Sequence, residues 1–272
     1  MSSSQRTVLT TGSNSGLGLA TVLEVARRGY DSVGTVRSTA KAEIVAAAAE
    51  EAGVSVRTQV LDVNDADACA ALVEAVRPDA LVNNAGYMQF AAVEEVGDAE
   101  ARQLFETLVL APTRLARLCI PHMRARGWGR IVQVSSISAR VSFPLMGWYQ
   151  GCKQALEGLS DAMRLELASA GIAVSLIEPG LFESSVSHDL TSGTKPDSPY
   201  AAAYQRSTSI YGSLGLLMTD VQTVARVVVD AIHARSPRAR YPVGLDARFN
   251  VLSDPVTPTA LRDRAMRTFF GL

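Results

Sequence analysis

The order of apolar segments along the chain is the feature that most restricts its fold. Short runs suited to strands lie at 7–11, 32–36, 55–61, 80–82, 130–135 and 173–177. Segments with helical patterns lie between them, at 16–28, 40–52, 65–76, 99–118 and 148–168. Such alternation predicts βαβ units, and therefore a doubly wound parallel sheet with helices on both faces. A length of 272 residues suits one such α/β domain, spanning 1–272.

The last third of the chain has a different texture. Residues 181–217 are rich in Ser, Thr, Gly, Pro and Tyr, which predicts an excursion from the sheet. Two interpretations stay open: a mobile lid over a substrate, or a variable surface loop. A helix at 221–234 and a strand at 239–243 then return to the sheet. The tail, 253–272, ends near two phenylalanines, which we expect to pack on the body or on another subunit.

Charge and cysteine content exclude several classes of protein. The chain has 26 basic and 27 acidic residues, so nothing in its charge favours nucleic acid or an anionic membrane as a partner. It has no stretch of roughly 18 uninterrupted apolar residues and no signal-peptide core. Three widely spaced cysteines form neither a metal pattern nor a disulfide framework. These features predict a cytoplasmic protein without a metal.

A glycine-rich loop follows the first strand and opens the first helix. Gly12, Gly16 and Gly18 would let backbone N–H groups approach a pyrophosphate, and a helix N-terminus favours negative charge. The alternative is a purely structural turn. With its neighbours, the loop predicts a Rossmann-like dinucleotide site that includes Ser13, Ser15 and Leu17.

Further candidates for the cofactor site lie where the third and fourth strands end, because α/β sheets bind ligands at the carboxyl ends of their strands. Asp62 is suited to accept a hydrogen bond from an adenine amino group, although it could instead cap the next helix. The set of candidates at these two ends is Asp62, Val63, Asn83, Ala85 and Gly86.

The end of the second strand bears on which dinucleotide is bound. An NAD site commonly offers an acid there to the ribose 2′-hydroxyl, but here Val36 takes that place and Arg37 follows. A guanidinium suits a 2′-phosphate, and the Ser13 hydroxyl would add a second contact. The sequence therefore favours NADP(H) over NAD(H); the alternative is that Arg37 is only a solvated side chain.

Tyr149 and Lys153 lie four residues apart in a predicted helix, so both side chains are on one face. A tyrosine is normally protonated, with a pKa of about 10, and a neighbouring ammonium lowers that value. Tyr149 would then donate a proton in a reduction and accept one in an oxidation. Lys153 would also hold the nicotinamide ribose.

In these motifs the chain resembles the short-chain dehydrogenase/reductase family. The resemblance rests on the glycine loop, the Asn83–Gly86 stretch, Tyr149-x-x-x-Lys153 and the Pro179-Gly180 pair. It implies that Ser136, about thirteen positions before the tyrosine, holds the substrate oxygen, with Ser138 as the reserve. It also implies that Pro179, Gly180 and Ser184 lie beside the nicotinamide, and that the protein forms a homodimer or homotetramer.

One position departs from the family pattern. Leu108 stands where the family usually has an asparagine that supports a helix distortion and a water-linked proton path to the lysine. One interpretation is a slow or non-reducing protein. The other is that Pro112, which has no N–H, leaves the Leu108 carbonyl free to bind the same water.

Together these features predict an NADPH-dependent oxidoreductase acting on a carbonyl or a secondary alcohol. Mostly apolar residues favour a hydrophobic ketone over a sugar, although each could simply belong to the core; they are Met88, Gln89, Phe143, Met146 and Trp148. The alternatives are a catalytically weak cofactor-binding protein that serves by sensing or interaction, and a non-redox lyase or epimerase.

Overall fold

The computed structural model describes residues 5–182, 197–213 and 218–272. Its seven strands form one sheet in the order β3-β2-β1-β4-β5-β6-β7, and all neighbours pair in parallel. Their bounds are β1 Thr7–Thr10, β2 Asp31–Val36, β3 Val56–Val60, β4 Ala80–Asn83, β5 Gly129–Val134, β6 Ile172–Pro179 and β7 Arg240–Val243. The predicted α/β class and single parallel sheet are confirmed.

Ten α-helices connect or follow these strands in the described part of the chain. They are α1 Gly16–Arg27, α2 Thr39–Glu51, α3 Ala66–Val76, α4 Asp98–Phe105, α5 Ala111–Arg126, α6 Gly147–Glu166, α7 Ala201–Ser213, α8 Val221–His233, α9 Leu245–Ser253 and α10 Thr259–Phe270. A π-helical turn, Glu106–Leu110, separates α4 from α5. The segment predicted as one helix over 99–118 is therefore two helices joined by a distortion.

The core consists of two layers because successive strand residues point to opposite faces of the sheet. On one face Leu9 packs with residues of α3 and α5, such as Val73 and Leu115. On the other face Val8 packs with α1 and α8, for example with Val228. Parallel strands covered on both sides explain why the strand segments read as continuous apolar runs rather than as alternating patterns.

Strand order changes direction between β1 and β4, which lie side by side. Leu9 pairs with Val33 of β2 on one side and with Leu81 of β4 on the other. The connections that follow β1 and β4 therefore leave in opposite directions and open a crevice at the carboxyl edge of the sheet. This is where doubly wound sheets bind ligands.

The excursion after β6 leaves and rejoins the body at one point. Phe182 and Thr219 form a parallel bridge, and Thr219 N donates to Leu181 O at 2.9 Å. Within the excursion, α7 packs on the body: Tyr204 is fully buried, and its hydroxyl accepts from Ala92 N at 2.8 Å. Ser184 lies outside the described residues.

The C-terminal tail packs on the body, as its phenylalanines predict. Phe270 is buried, whereas Phe269 beside it is half exposed. The sequence did not indicate α9 and α10, which make up most of this region. In the described chain, no helix is long and apolar enough to cross a membrane.

A subunit interface built from the two helices over 99–118 and 148–168 would use their leucines, but several of these belong to the chain's own core. They are Leu104, Leu108, Leu115 and Leu156. Leu159 and Leu165 of α6 are exposed, as is Leu110 at the end of the π turn. These outward-facing leucines remain available for contact with another copy.

Candidate active site

A single cavity of about 830 Å³ lies in the crevice at the carboxyl edge of the sheet. Its wall brings together groups predicted separately from four distant parts of the sequence: Gly16, Arg37, Asp62 and the pair Tyr149 and Lys153. The fold thus places the candidate cofactor site and the candidate catalytic groups against the same space. Its wall also includes Ser15, Leu17, Val63, Ala85 and Gly86, which were predicted for the cofactor.

The glycine loop is compact and leaves the start of α1 open to an anion. A Cβ on Gly18 would lie 2.0 Å from the Gly12 carbonyl oxygen, so only glycine fits there. Gly12 and Gly16 have φ of +69° and +51°, in the left-handed region that glycine adopts without strain. Ser15 is the N-cap of α1 but makes no side-chain cap, and the first turn has no acid. These uncapped N–H groups fit a pyrophosphate.

Ser13 does not contribute a hydroxyl to this site, contrary to the prediction. Its side chain is fully buried, and Oγ donates to Thr10 O at 3.0 Å. A Cβ on Gly34 would lie 2.9 Å from it, so Ser13 packs between the loop and β2. Its backbone N–H is also engaged, with Thr35 O at 2.8 Å.

The end of β2 presents two cations to the cavity. Arg37 lines the wall as predicted, and Lys41, in the first turn of α2, lines it too. Sequence reasoning missed Lys41, although its position four residues after Arg37 and just past the Ser38 cap was a usable signal. The Ser38 hydroxyl accepts from Lys41 N at 3.4 Å and so fixes the start of α2.

At the end of β4 the two neighbouring asparagines lie on different sides of the chain. Asn83 is buried, and its Nδ2 donates to Pro112 O at 2.9 Å, away from the cavity wall. Asn84 lines the cavity and donates from Nδ2 to Thr11 O and Gly12 O at 2.9 and 3.1 Å. The Asn83 side chain, predicted to lie at the cofactor, therefore points away from the cavity: consecutive strand residues face opposite sides, and Asn84 holds the glycine loop against β4.

Asp62 lies at the cavity wall and is not a helix cap. Its Oδ1 accepts from Asn64 N at 3.0 Å, within the loop after β3. Asp65 caps α3 instead, accepting from Ala68 N at 2.9 Å. The capping alternative for Asp62 is thereby removed, and its exposed carboxylate remains available to a ligand.

Ser136, Tyr149 and Lys153 all line the cavity. Ser136 caps a short 3-10 turn, Ile137–Ala139, and its Oγ accepts from Ser138 N at 3.2 Å. The buried Ser138 hydroxyl donates to the same Oγ at 2.8 Å. Ser138 thus orients Ser136, whose own proton is left to donate to a substrate oxygen.

Lys153 reaches from α6 to the end of β5. Its Nζ donates to Val134 O at 2.7 Å and lies 5.7 Å from the ring centroid of Tyr149. Burial disfavours the charged ammonium and lowers the pKa of Lys153 to about 8, while the charges of Cys152 and Glu157 act in the opposite direction.

A buried polar network holds helix α6 in place. Glu157, one turn after Lys153, accepts from Ser135 Oγ at 2.7 Å and lies 3.4 Å from Arg240 of β7. Arg240 also pairs with Asp161 at 2.6 Å. Burial raises the pKa of the Glu157 carboxyl. The network ties α6 to β5 and β7, and sequence reasoning did not detect it.

Three of the five residues predicted for a substrate pocket line the cavity, and two do not. Met88, Phe143 and Met146 line the wall. Gln89 is buried, with Nε2 donating to Glu100 at 2.5 Å. Trp148 lies outside, with Nε1 donating to Val93 O at 3.3 Å, because a residue next to Tyr149 on a helix faces another direction. Further apolar lining comes from Leu181, Phe182, Ile210, Met218, Phe269 and Phe270.

The Pro179-Gly180 pair divides between core and cavity. Pro179, predicted to lie beside the nicotinamide, is the last residue of β6; it is buried and does not line the cavity. Gly180 lines the wall, where a Cβ would lie 2.2 Å from both Asp246 carboxylate oxygens. Asp246 accepts from Leu181 N at 2.7 Å and so holds this segment against α9.

The helix distortion predicted near Leu108 is confirmed. The turn Glu106–Leu110 is π-helical, and Ala111 N donates to Glu106 O, five residues back. The Leu108 side chain is buried and packs on Gly86, where a Cβ would lie 2.6 Å from Leu108 Cδ2. The leucine therefore fills space beside the cavity without removing the distortion.

This geometry places the glycine loop and the side chains of Ser136, Tyr149 and Lys153 around one cavity. Comparison with known proteins identifies the family. The pattern of the short chain dehydrogenase family matches residues 6–195. An uncharacterized oxidoreductase of Bacillus subtilis, YusZ, is 32% identical over 265 residues, covering 93% of this chain and 94% of that protein. The chain belongs to the short-chain dehydrogenase/reductase family and is an oxidoreductase.

Two further similarities extend over most of the chain. A crystal structure of a short-chain dehydrogenase from Streptomyces avermitilis is 31% identical, with a TM-score of 0.80, and covers 98% of this chain and 96% of that one. The NADPH-dependent 3-dehydrocapnine reductase of Ornithobacterium rhinotracheale is 29% identical over 251 residues, with 88% of each chain covered.

Proposed function

We propose that this protein is an NADPH-dependent reductase or dehydrogenase of a hydrophobic ketone or the matching secondary alcohol. One observation carries the proposal: the glycine loop, the Arg37–Lys41 pair and the Ser136-Tyr149-Lys153 group all face one continuous cavity. A binding protein without redox chemistry has no use for a tyrosine and a lysine converging on the space beside the dinucleotide.

The residues present fit a nicotinamide dinucleotide. The uncapped start of α1 would hold the pyrophosphate, Asp62 the adenine, and Lys153 the nicotinamide ribose. When bound, the cofactor supplies or accepts the hydride. Gly180 has no side chain, so the wall can approach the nicotinamide closely beside the segment that Asp246 holds.

Side chains of the protein would transfer the proton to and from the substrate oxygen. Ser136, oriented by the Ser138 hydroxyl, donates a hydrogen bond to the substrate oxygen. Tyr149 donates its phenolic proton to that oxygen during reduction and recovers one during oxidation. The Lys153 ammonium, held 5.7 Å from the Tyr149 ring by Val134 O, stabilises the phenolate that forms.

Preference for NADPH is supported by charge at the end of β2. Arg37 and Lys41 line the cavity there, and no acid follows β2 to meet a ribose 2′-hydroxyl. A 2′-phosphate would form charge-assisted contacts with both cations. The relative from Ornithobacterium rhinotracheale is NADPH-dependent by name, which favours the same choice.

A hydrophobic substrate is supported by the wall beyond Tyr149. The lining of the cavity includes the apolar side chains Met88, Phe143, Met146, Phe182 and Phe270. Burial of apolar surface against this lining would favour the binding of an apolar substrate, whereas a sugar would find few hydrogen-bond partners there.

The second candidate is a cofactor-binding protein with weak turnover, and the leucine at position 108 favours it. A leucine side chain cannot hold the water that the family asparagine supports. The π turn at the same place argues for an intact proton path through the backbone. A lyase or epimerase would share the cofactor site but would return the hydride to its substrate.

We further propose a cytoplasmic homodimer or homotetramer. The cysteines Cys69, Cys119 and Cys152 are all buried and unpaired, which suits a reducing compartment. Exposed Leu110, Leu159 and Leu165 give the helical side of the molecule an apolar surface for another copy.

The test is turnover of NADPH and NADH with a graded panel of aliphatic, cyclic and hydroxylated ketones. We expect oxidation of NADPH with the apolar members and little with sugars. Product analysis separates net reduction from elimination or epimerisation. Tight NADPH binding without turnover on any member would favour the second candidate.

A further inference from the structure

The most exposed apolar side chains near the C-terminus form one stripe. Leu245, Phe249, Leu252 and Val256 are 84, 69, 77 and 78% exposed. They follow one another at intervals of four, three and four residues along α9 and the 3-10 turn Asp254–Val256. Residues at this spacing share one helix face, so the four form a continuous apolar strip in water.

The next helix has an outward apolar face of its own. Leu261, Phe269 and Leu272 are 60, 50 and 48% exposed, while Phe270 on the opposite side is buried in the body. An ion pair between Arg262 and Asp254 joins α10 to the turn that ends the stripe. We call the four residues of the stripe and these three the C-terminal apolar surface.

Cations flank this surface. Arg248 of α9 and Arg264 of α10 are exposed and form no ion pair within the described residues. Two acidic residues of the region already have partners: Asp246 accepts from Leu181 N, and Asp254 forms an ion pair with Arg262. Asp263 is two residues from Leu261, which places it on the far side of α10. An apolar strip edged by arginines has the character of a membrane-surface helix.

The C-terminal apolar surface also borders the active-site cavity. Asn250 of α9 and Phe269 of α10 belong to the cavity wall, and Phe269 is also part of the surface. The same two helices therefore form part of the cavity rim and present apolar side chains outward. A substrate leaving an apolar phase at this surface would reach the cavity without crossing water.

We propose that the C-terminal apolar surface binds the face of a lipid bilayer that contains anionic lipids. A second copy of the chain fits less well, because self-docking would bring the arginines of both copies together and cover the cavity rim. The nearly neutral net charge of the chain gave no indication of a membrane partner. A net charge is a sum over the whole chain, whereas the fold places these arginines together on one surface. Peripheral contact of this kind requires no membrane-spanning helix.

The test uses the full chain and vesicles, without cofactor or substrate, so its outcome is independent of the proposed reaction. Co-sedimentation is measured with phosphatidylcholine vesicles and with mixed phosphatidylcholine–phosphatidylglycerol vesicles. We expect binding to the mixed vesicles, weakened by salt. The triple variant Phe249→Gln, Leu252→Gln, Val256→Gln should lose about tenfold or more of this binding.

Matched variants separate the surface from general effects. Ile44→Gln with Val60→Gln alters two exposed apolar residues, one in α2 and one in the edge strand β3, and should leave vesicle binding unchanged. Arg248→Gln with Arg264→Gln should weaken binding to the mixed vesicles only. Circular dichroism melting checks that each variant is folded.

Three results would overturn the proposal: wild-type protein that stays in the supernatant, a triple variant that binds as well as wild type, or a control pair that loses binding equally. A triple variant whose only change is a smaller particle in light scattering would identify a second copy as the true occupant.

Discussion

The Lys153 ammonium donates to the Val134 carbonyl at 2.7 Å, and this contact joins the catalytic helix to the strand that precedes Ser136. Through it, α6 and the end of β5 hold the tyrosine, the lysine and the serine in one frame. A single neutral carbonyl replaces only part of the hydration that the ammonium loses on burial. The pKa of Lys153 is therefore lowered to about 8, close to the working pH of an enzyme.

Activity should depend on this titration. We expect kcat/KM for reduction to be level below pH 8 and to fall as pH rises through about 8, because Lys153 then loses the proton that stabilises the phenolate. The Glu157 charge raises the pKa of Lys153, so Glu157→Gln should move the fall to lower pH. Initial rates between pH 6 and pH 10 measure the pH profiles of the wild type and of Glu157→Gln. An identical profile in the variant would contradict the assignment of the titration to Lys153.

Removing the transferable proton should separate chemistry from binding. Tyr149→Phe should lower kcat by roughly 10²- to 10⁴-fold and leave the Kd for NADPH nearly unchanged. Lys153→Ala should damage both, since it also removes a contact to the ribose. Tyr30→Phe is the control, because that hydroxyl lies at the surface 3.1 Å from His233. Wild-type activity in Tyr149→Phe would refute the reductase mechanism.

Sequence spacing predicted which candidate groups would meet at the cavity because their spacing reflects local geometry. Tyr149 and Lys153 share a helix face by their four-residue interval, and the glycine loop follows from the order strand, turn, helix. The predicted strands agree with the structure to within one or two residues at most ends, since a buried parallel strand is a continuous apolar run.

The errors share a different physical cause. Ser13, Asn83 and Trp148 each lie one residue from a group that does face the cavity, and their directions depend on tertiary packing. Nothing local distinguishes Asn83 from Asn84 until β1 and β4 pair. Lys41 also reaches the cavity wall through the folded position of α2, although its spacing from Arg37 and from the Ser38 cap was a local signal for it.

Cofactor preference should follow the cations at the end of β2. Arg37→Ala should weaken NADPH binding by about ten- to a hundredfold, or roughly 1.5–3 kcal/mol, with little change for NADH. Lys41→Ala should act in the same direction. Titration of both cofactors by fluorescence measures the difference, and Arg57→Ala, on the far side of β3, serves as a control. Equal weakening of NADPH and NADH would remove Arg37 from the site.

Self-association should use the exposed leucines of the π turn and α6, which are Leu110, Leu159 and Leu165. We expect light scattering at micromolar concentration to give a dimer or tetramer. Leu159→Glu with Leu165→Glu should reduce its size without unfolding the chain, because both positions are exposed. A wild-type monomer would refute the assembly, and an unchanged particle in the double variant would place the interface elsewhere.

The π turn before Pro112 should matter for turnover. Proline has no N–H to give the carbonyl four residues back, which belongs to Leu108, and we propose that this oxygen binds a water leading to Lys153. Pro112→Ala restores the donor and favours a regular helix, so kcat should fall by roughly tenfold or more with a larger solvent isotope effect. Pro121→Ala is the matched control, since that proline is exposed in the same helix.

Leu108→Asn tests the same idea from the other side. If the backbone already holds the water, the family asparagine should change kcat little, while burying an unpaired amide beside Gly86 should lower the Tm. A large gain in kcat would instead show that the leucine cripples proton transfer. Equal behaviour of Pro112→Ala and Pro121→Ala would lead to the same conclusion, and the weakly catalytic alternative would then account better for this chain.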